Sequence, residues 1–106
     1  MQMPEGGFPA IVVLHGGGGC AFHEWVEFWN KKGYVAIAPD LSGQHNGDKS
    51  FDGKGAPVNP EGGPKGYRPF QTTIENCKDM WIYHSVCNAI NAHNYLREMP
   101  QVNKEK

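Results

Sequence analysis

Two continuous apolar runs stand out from an otherwise mixed chain, Ala10-Ile11-Val12-Val13-Leu14 and Tyr34-Val35-Ala36-Ile37-Ala38. Neither alternates with polar residues, and the first is partly β-branched, the pattern of strands buried on both faces of a parallel sheet. Between them Phe22, Trp25, Val26 and Trp29 recur at helical spacing, Glu24, Glu27 and Lys31 fall elsewhere, and Gly33 supplies a stop. That spacing predicts a short amphipathic helix over about 22–32. Strand 10–14, helix and strand 34–38 together make a βαβ unit, for which a right-handed crossover is the rule.

The pattern then breaks down. From Leu41 to Thr72 the chain carries seven glycines and four prolines, so no regular helix or central strand is expected there and a long loop is predicted over about 41–72. Thr72-x-x-Glu75 has the form of a capping box, and no Pro or Gly interrupts the chain from there to Met99. A helix over about 73–99 follows, with Ile74, Cys77, Trp81, Cys87, Ile90 and Leu96 as its apolar stripe. The polar tail Gln101–Lys106 closes the sequence. The fold class expected is α/β, with residues 1–106 forming a single partial domain. A two-stranded parallel sheet cannot cover both of its faces and edges, so the chain reads as the front part of a larger fold. The absent neighbour is expected to leave the 10–14 strand open on one side.

Composition narrows the function classes. Ten Lys and Arg against 11 Asp and Glu give a net charge of −1 with no basic cluster, which argues against nucleic acid or an anionic membrane as partner. The apolar runs are too short to span a membrane, and no basic flank leads into an apolar stretch at the start, so a cytoplasmic location is the default expectation. Cys20, Cys77 and Cys87 are odd in number and lack a C-x-x-C spacing, which predicts reduced thiols rather than a disulfide framework or a zinc knuckle.

The chemistry concentrates in His15-Gly16-Gly17-Gly18-Gly19, set between the first strand and the first helix, where backbone amides unobstructed by Cβ atoms can converge on an anion. Two uses compete. The amides can stabilise the oxyanion of an acyl-transfer intermediate. Alternatively Gly16-x-Gly18-x-x-Ala21 is a dinucleotide fingerprint, with Asp40, 22 residues beyond Gly18, as the ribose-binding carboxylate. Against the second use, His15 and the bulky Phe22, Glu24 and Trp25 stand where close packing on a dinucleotide wants small residues. A triphosphate-binding loop is excluded because no Gly-Lys-Ser/Thr follows.

Ile11-Val12-Val13-Leu14-His15-Gly16-Gly17-Gly18-Gly19, then Trp25 to Trp29, then Gly33-Tyr34-Val35-Ala36-Ile37-Ala38-Pro39-Asp40-Leu41-Ser42-Gly43, resembles the N-terminal part of an α/β hydrolase. The branch it is similar to contains acetyl xylan esterases, dienelactone-hydrolase-like proteins and dipeptidyl-peptidase-like serine hydrolases. By this resemblance the two strands are the third and fourth of the family sheet, Gly16, Gly17 and Gly18 form the oxyanion loop, and His15 positions that loop. The substrate class implied is a small-molecule or carbohydrate ester, without a cofactor or a metal. The family also requires a Gly-x-Ser-x-Gly elbow, an acid and a histidine. None of the serines Ser42, Ser50 and Ser85 has glycines two residues to either side, so the nucleophile is missing and the chain alone is expected to be inactive. A homo-oligomer or a complementary fragment is the partner expected at the open strand edges.

Other constellations carry less. Cys20 at the predicted start of the first helix could act as a thiolate with His15 or His23 as base, although a packed loop cysteine is the commoner outcome. Cys77, His84 and Cys87 share one helix, but a single helix cannot wrap a tetrahedral ion. Asp48 and Asp52-Gly53 suggest a calcium loop that Lys54 and Asn59 spoil. Tyr67, Arg68 and Phe70 either line a site or pin the loop, and His93 reads as a surface residue.

Overall fold

The computed structural model describes residues 1–16, 21–41, 75, 78 and 80–106. Four elements follow one another: strand β1 (Ala10–Val12), helix α1 (His23–Lys31), strand β2 (Val35–Ile37) and helix α2 (Trp81–Glu98). β1 and β2 are parallel neighbours in the register Ala10 to Val35, Ile11 to Ala36 and Val12 to Ile37. The flanks extend the pairing, with Val35 N–H donating to Pro9 O (2.9 Å) and Val13 N–H to Ile37 O (2.9 Å). The α/β reading and the βαβ unit hold. Both strands are shorter than the apolar runs that announced them, and their residues are half-buried rather than buried on both faces. One helix per sheet face leaves too little apolar surface to cover either face fully.

The open edge expected beside β1 is partly occupied. The tail runs parallel to the start of the first strand, with a bridge between Phe8 and Val102. Phe8 N–H donates to Gln101 O (2.8 Å), Asn103 N–H to Phe8 O (2.8 Å) and Ala10 N–H to Lys106 O (3.2 Å). In a parallel ladder successive residues point their amide groups to opposite sides, so residues 9, 11 and 13 serve β2 while 8 and 10 serve the tail. The spatial order is therefore tail, β1, β2, with β1 in the middle. Val102 is buried and joins Leu41, Trp81, Ala92 and Leu96 in the core.

α1 ends as Gly33 predicted. Gly33 N–H donates to Asn30 O (3.0 Å) and Tyr34 N–H to Trp29 O (3.1 Å), the paired bonds of a Schellman motif with Gly33 at φ +84°. The motif's apolar contact is present too, the Trp29 and Tyr34 rings lying edge to face at 5.1 Å. A Cβ on Gly33 would meet only Met1 at ordinary contact distance, Sδ at 3.5 Å, so the cost of a side chain lies in the backbone conformation. Gly33→Ala is expected to lower stability by about 1 kcal/mol in urea denaturation, with little change in cooperativity.

α2 begins at Trp81, not at Thr73. Met80 is extended (φ −91°, ψ 145°) and serves as N-cap, its carbonyl taking the first helical bond from His84 N–H at 3.5 Å. The His84 ring reaches back so that Nε2–H donates to Lys78 O at 2.8 Å. A continuous helix would have given that carbonyl to the amide four residues on, so the ring contact belongs to a chain that has already left the helical path. Thr72 of the expected capping box lies outside the described residues, as do residues 42–72 of the expected loop.

The apolar stripe also needs correction. Trp81, Ser85, Ala92 and Leu96 are buried, whereas Cys87 is half-buried and Ile90 is 54% exposed. At about 100° per residue the four buried positions fall within about 60° of arc and Ile90 lies opposite Trp81. Small Ser85 and Ala92 let the helix approach the strands closely, and Ile82, Val86 and Ile90 share the outer side.

Candidate functional site

The site is built where β1 ends. Strand residues alternate, so Ala10 and Val12 share a face with Val35 and Ile37, while Ile11 and Val13 look the other way. His93 and Leu96 of α2 border a cavity with Ala10 and Val12. Trp25, Phe28 and Trp29 of α1 border another with Val13. The two helices thus flank opposite faces of the sheet. The chain leaves β1 towards β2 on one side, and its tail returns on the other. His15 and Gly16 lie just beyond the carboxyl end of β1, the central strand.

Leu14 is 49% exposed, but the next side chain turns inward and His15 is only 5% exposed. Its ring is held at both nitrogens. Nε2 accepts a hydrogen bond from Leu41 N–H at 2.8 Å, and Nδ1 lies 2.8 Å from Gly16 O. An amide can only donate and a carbonyl can only accept, so the ring carries its proton on Nδ1 and is neutral in this arrangement. Long-range 15N–1H NMR is expected to show His15 as the Nδ1–H tautomer. An Nε2–H pattern would contradict the pairing with Leu41.

The partner strand supplies the rest. Leu41, just past β2, is buried and returns its carbonyl towards Ser85 of α2, whose Oγ lies 3.4 Å from Leu41 O and 2.8 Å from Trp81 O. The hydroxyl has one proton, and the shorter distance assigns it chiefly to Trp81 O, the usual helical back-bond. Asp40 turns to the far end of the glycine loop: Oδ2 accepts from Ala21 N–H at 3.1 Å, while Oδ1 lies 4.0 Å from His15 Nε2. Its carboxylate therefore faces Ala21, the residue before the N-cap of α1.

Of the residues singled out by sequence, His15 and Gly16 meet at this corner, whereas Gly17, Gly18 and Cys20 lie outside the described residues. Gly16 itself is exposed, and a Cβ placed on it would touch nothing within 4 Å. His84 is engaged by Lys78 O, Cys77 is not described, and no cluster of metal-ligating side chains occurs among the described residues. His93 is exposed, as read from the sequence. Among the described residues no helix is long and apolar enough to cross a membrane. Sequence reasoning missed Leu41 and Ser85. The usable signal for Leu41 was an isolated large apolar residue directly after Pro39-Asp40, at the edge of a glycine- and proline-rich stretch.

This arrangement can do one chemical thing well. It holds Gly16, the first residue of the glycine run, beyond the carboxyl end of the central strand through the buried His15 ring, which is itself bonded to Leu41. No protein-family model matches the chain, and no curated protein or solved structure matches it either.

Proposed function

We propose that the chain provides the oxyanion-binding part of a serine carboxyl-ester hydrolase of α/β-hydrolase fold, similar to the acetyl xylan esterases. The observation that carries this reading is the buried His15 ring bonded to Gly16 O and Leu41 N–H beyond the carboxyl end of the central strand. Acyl transfer needs donors fixed before the charge develops, because donors that must reorganise during the reaction lose most of their benefit. The His15 ring also keeps the Gly16 carbonyl turned to itself, so that this acceptor does not face an incoming ester oxygen. Gly16, Gly17 and Gly18 are the donors in this reading. The serine, acid and histidine come from polypeptide outside these 106 residues, since none of the three serines sits in a Gly-x-Ser-x-Gly elbow.

Reconstitution tests this. The chain is mixed with the C-terminal portion of an acetyl xylan esterase that begins at its nucleophile strand, and hydrolysis of p-nitrophenyl acetate is followed. Turnover is expected only when both pieces are present, and it should fall about 10²-fold or more when Gly16→Pro removes an amide and distorts the loop. A stable complex without ester turnover overturns the reading. So does turnover by the chain alone that survives Ser42→Ala, Ser50→Ala and Ser85→Ala.

A second reading, assembly through strand edges, is favoured by one feature. By the alternation of the ladder, Val12 directs its amide groups to the side away from β2, past the last tail contact at Ala10. A copy or a complementary strand added there would continue the pairing that the tail begins. Light scattering on a sizing column is expected to show a defined dimer or larger assembly under this reading, and a monodisperse monomer contradicts it.

A further inference from the structure

The geometry points to a pH-sensitive switch at the end of the sheet: protonation of the buried His15 ring expels the Leu41 amide from Nε2 and unfastens the chain beyond β2 from the end of β1, while the ladder between the two strands stays closed. The switch belongs to the fold of this corner and holds whether or not the chain serves an esterase.

The two ring nitrogens of His15 are used in opposite senses. Nδ1–H donates to Gly16 O at 2.8 Å, and Nε2 accepts from Leu41 N–H at 2.8 Å. The lone pair on Nε2 that receives the amide is the same one that takes up a proton on acidification. The two uses exclude each other. Once Nε2 carries a hydrogen, two N–H donors confront each other across that short distance and one of them must leave. Nδ1 gives no relief, because it is a donor before and after protonation and its bond to Gly16 O is kept. The ring is therefore held in place, and Leu41 N–H is the partner that moves. Both residues are buried, so no water fills the gap unless the corner opens.

The charged surroundings act in the same direction. Among the described residues the carboxylate within ion-pair reach of the ring is that of Asp40, with Oδ1 4.0 Å from Nε2 and Oδ2 accepting from Ala21 N–H at 3.1 Å. A carboxylate oxygen accepts more than one hydrogen bond, so its pull on an imidazolium does not require that the group be otherwise unengaged. On α2, Ser85 is uncharged and bonded to Trp81 O, and the neighbouring His84 ring is turned to Lys78 O. At the start of α1, His23 and Glu24 face each other at 3.4 Å.

The opening is local because the ladder is built from groups that do not titrate. Val13 N–H donates to Ile37 O and Val35 N–H to Pro9 O, both at 2.9 Å, and neither bond involves the ring. The amide of Leu41, by contrast, has the ring as its acceptor. A buried amide that loses its acceptor is driven towards water. Residues past Ile37 thus form a unit that opens below the free energy of global unfolding.

The test is a pH series on the whole 15N-labelled chain, in which the His15 ring nitrogens report protonation and hydrogen exchange reports the amides of Leu41 and Val13. As the ring becomes protonated, the protection of Leu41, corrected for the intrinsic exchange rate at each pH, should fall at least about tenfold. Val13, in the ladder next to the site, should stay within about twofold. In His15→Gln, which offers Leu41 N–H an acceptor that does not titrate, the protection of Leu41 should be flat over the same pH range. Leu41 protection unchanged in the protonated chain overturns the proposal. Parallel loss at Leu41 and Val13 overturns it as well, since the opening is then global, and so does a ring that stays neutral until the chain unfolds. Should the glutamine variant not fold, the comparison of Leu41 with Val13 in the wild-type chain decides alone.

Discussion

Replacing His15 by alanine is expected to lower the stability of the domain by about 2–4 kcal/mol. The ring is buried, and its Nε2 is the acceptor for the amide of Leu41, itself a core residue. Truncation removes the acceptor but leaves the donor in place, and a buried N–H without a partner costs about 1–3 kcal/mol. The space vacated by the imidazole adds a cavity cost, because the surrounding strand ends relax only in part. His15→Gln separates the two contributions. A glutamine side chain can bring an amide oxygen near the position of Nε2, so Leu41 N–H keeps an acceptor and about half of the loss should be recovered. The urea midpoint should fall for the alanine variant, with Leu41 amide exchange accelerating to match, and rise again for the glutamine. An alanine variant within about 0.5 kcal/mol of wild type would mean that the brace contributes nothing. The functional consequence follows from the same bond set, since without the ring the Gly16 carbonyl loses its Nδ1–H donor.

The sequence made some of this legible because the signals were local. Gly33 after a helical run, followed by Tyr34, contains the whole Schellman motif within six residues, and the observed helix end agrees. The two apolar runs likewise stated their own conformation. What failed was non-local. Val102 is one apolar residue in the polar stretch Gln101–Lys106, and its bridge partner Phe8 stands at the opposite end of the sequence. No periodicity can register a single residue. The start of α2 failed for a related reason: the absence of Pro and Gly permits a helix but does not require one, and a ring-to-carbonyl contact between His84 and Lys78 leaves no mark in the pattern. The broad stripe drawn through Ile90 counted apolar residues without fixing the angle between them. At the site, the glycine run and His15 were conspicuous, whereas Ser85 and Leu41 became meaningful only once three elements had converged.

The second large effect is expected at Gly7, and it tests the tail. Gly7 closes a turn by donating its N–H to Pro4 O (3.0 Å), and its φ is +94°. A Cβ built there would lie 2.7 Å from Gln101 O, 3.0 Å from Asn103 N and 3.1 Å from Val102 C. All three are backbone atoms of the tail, so no rotamer change can relieve the contact. Either the turn at residues 4–7 must rearrange or the tail must leave. Detachment gives up three backbone hydrogen bonds, two to Phe8 and one to Ala10, worth about 0.5–1.5 kcal/mol each, together with the burial of Val102, about 1.5–3 kcal/mol. Gly7→Ala is therefore expected to cost about 3 kcal/mol, with exchange of the Phe8 and Asn103 amides rising far more than that of the β1–β2 ladder. Gly6→Ala provides the contrast. Gly6 also has positive φ, +82°, but the nearest atom to its Cβ would be the side-chain Nδ2 of Asn103 at 3.3 Å, which can swing aside. That variant should lose only about 1 kcal/mol and keep the tail amides protected. If the two alanines behaved alike, the tail would not be held against β1 by close backbone approach, and the central position of that strand, at whose end His15 stands, would lose its support.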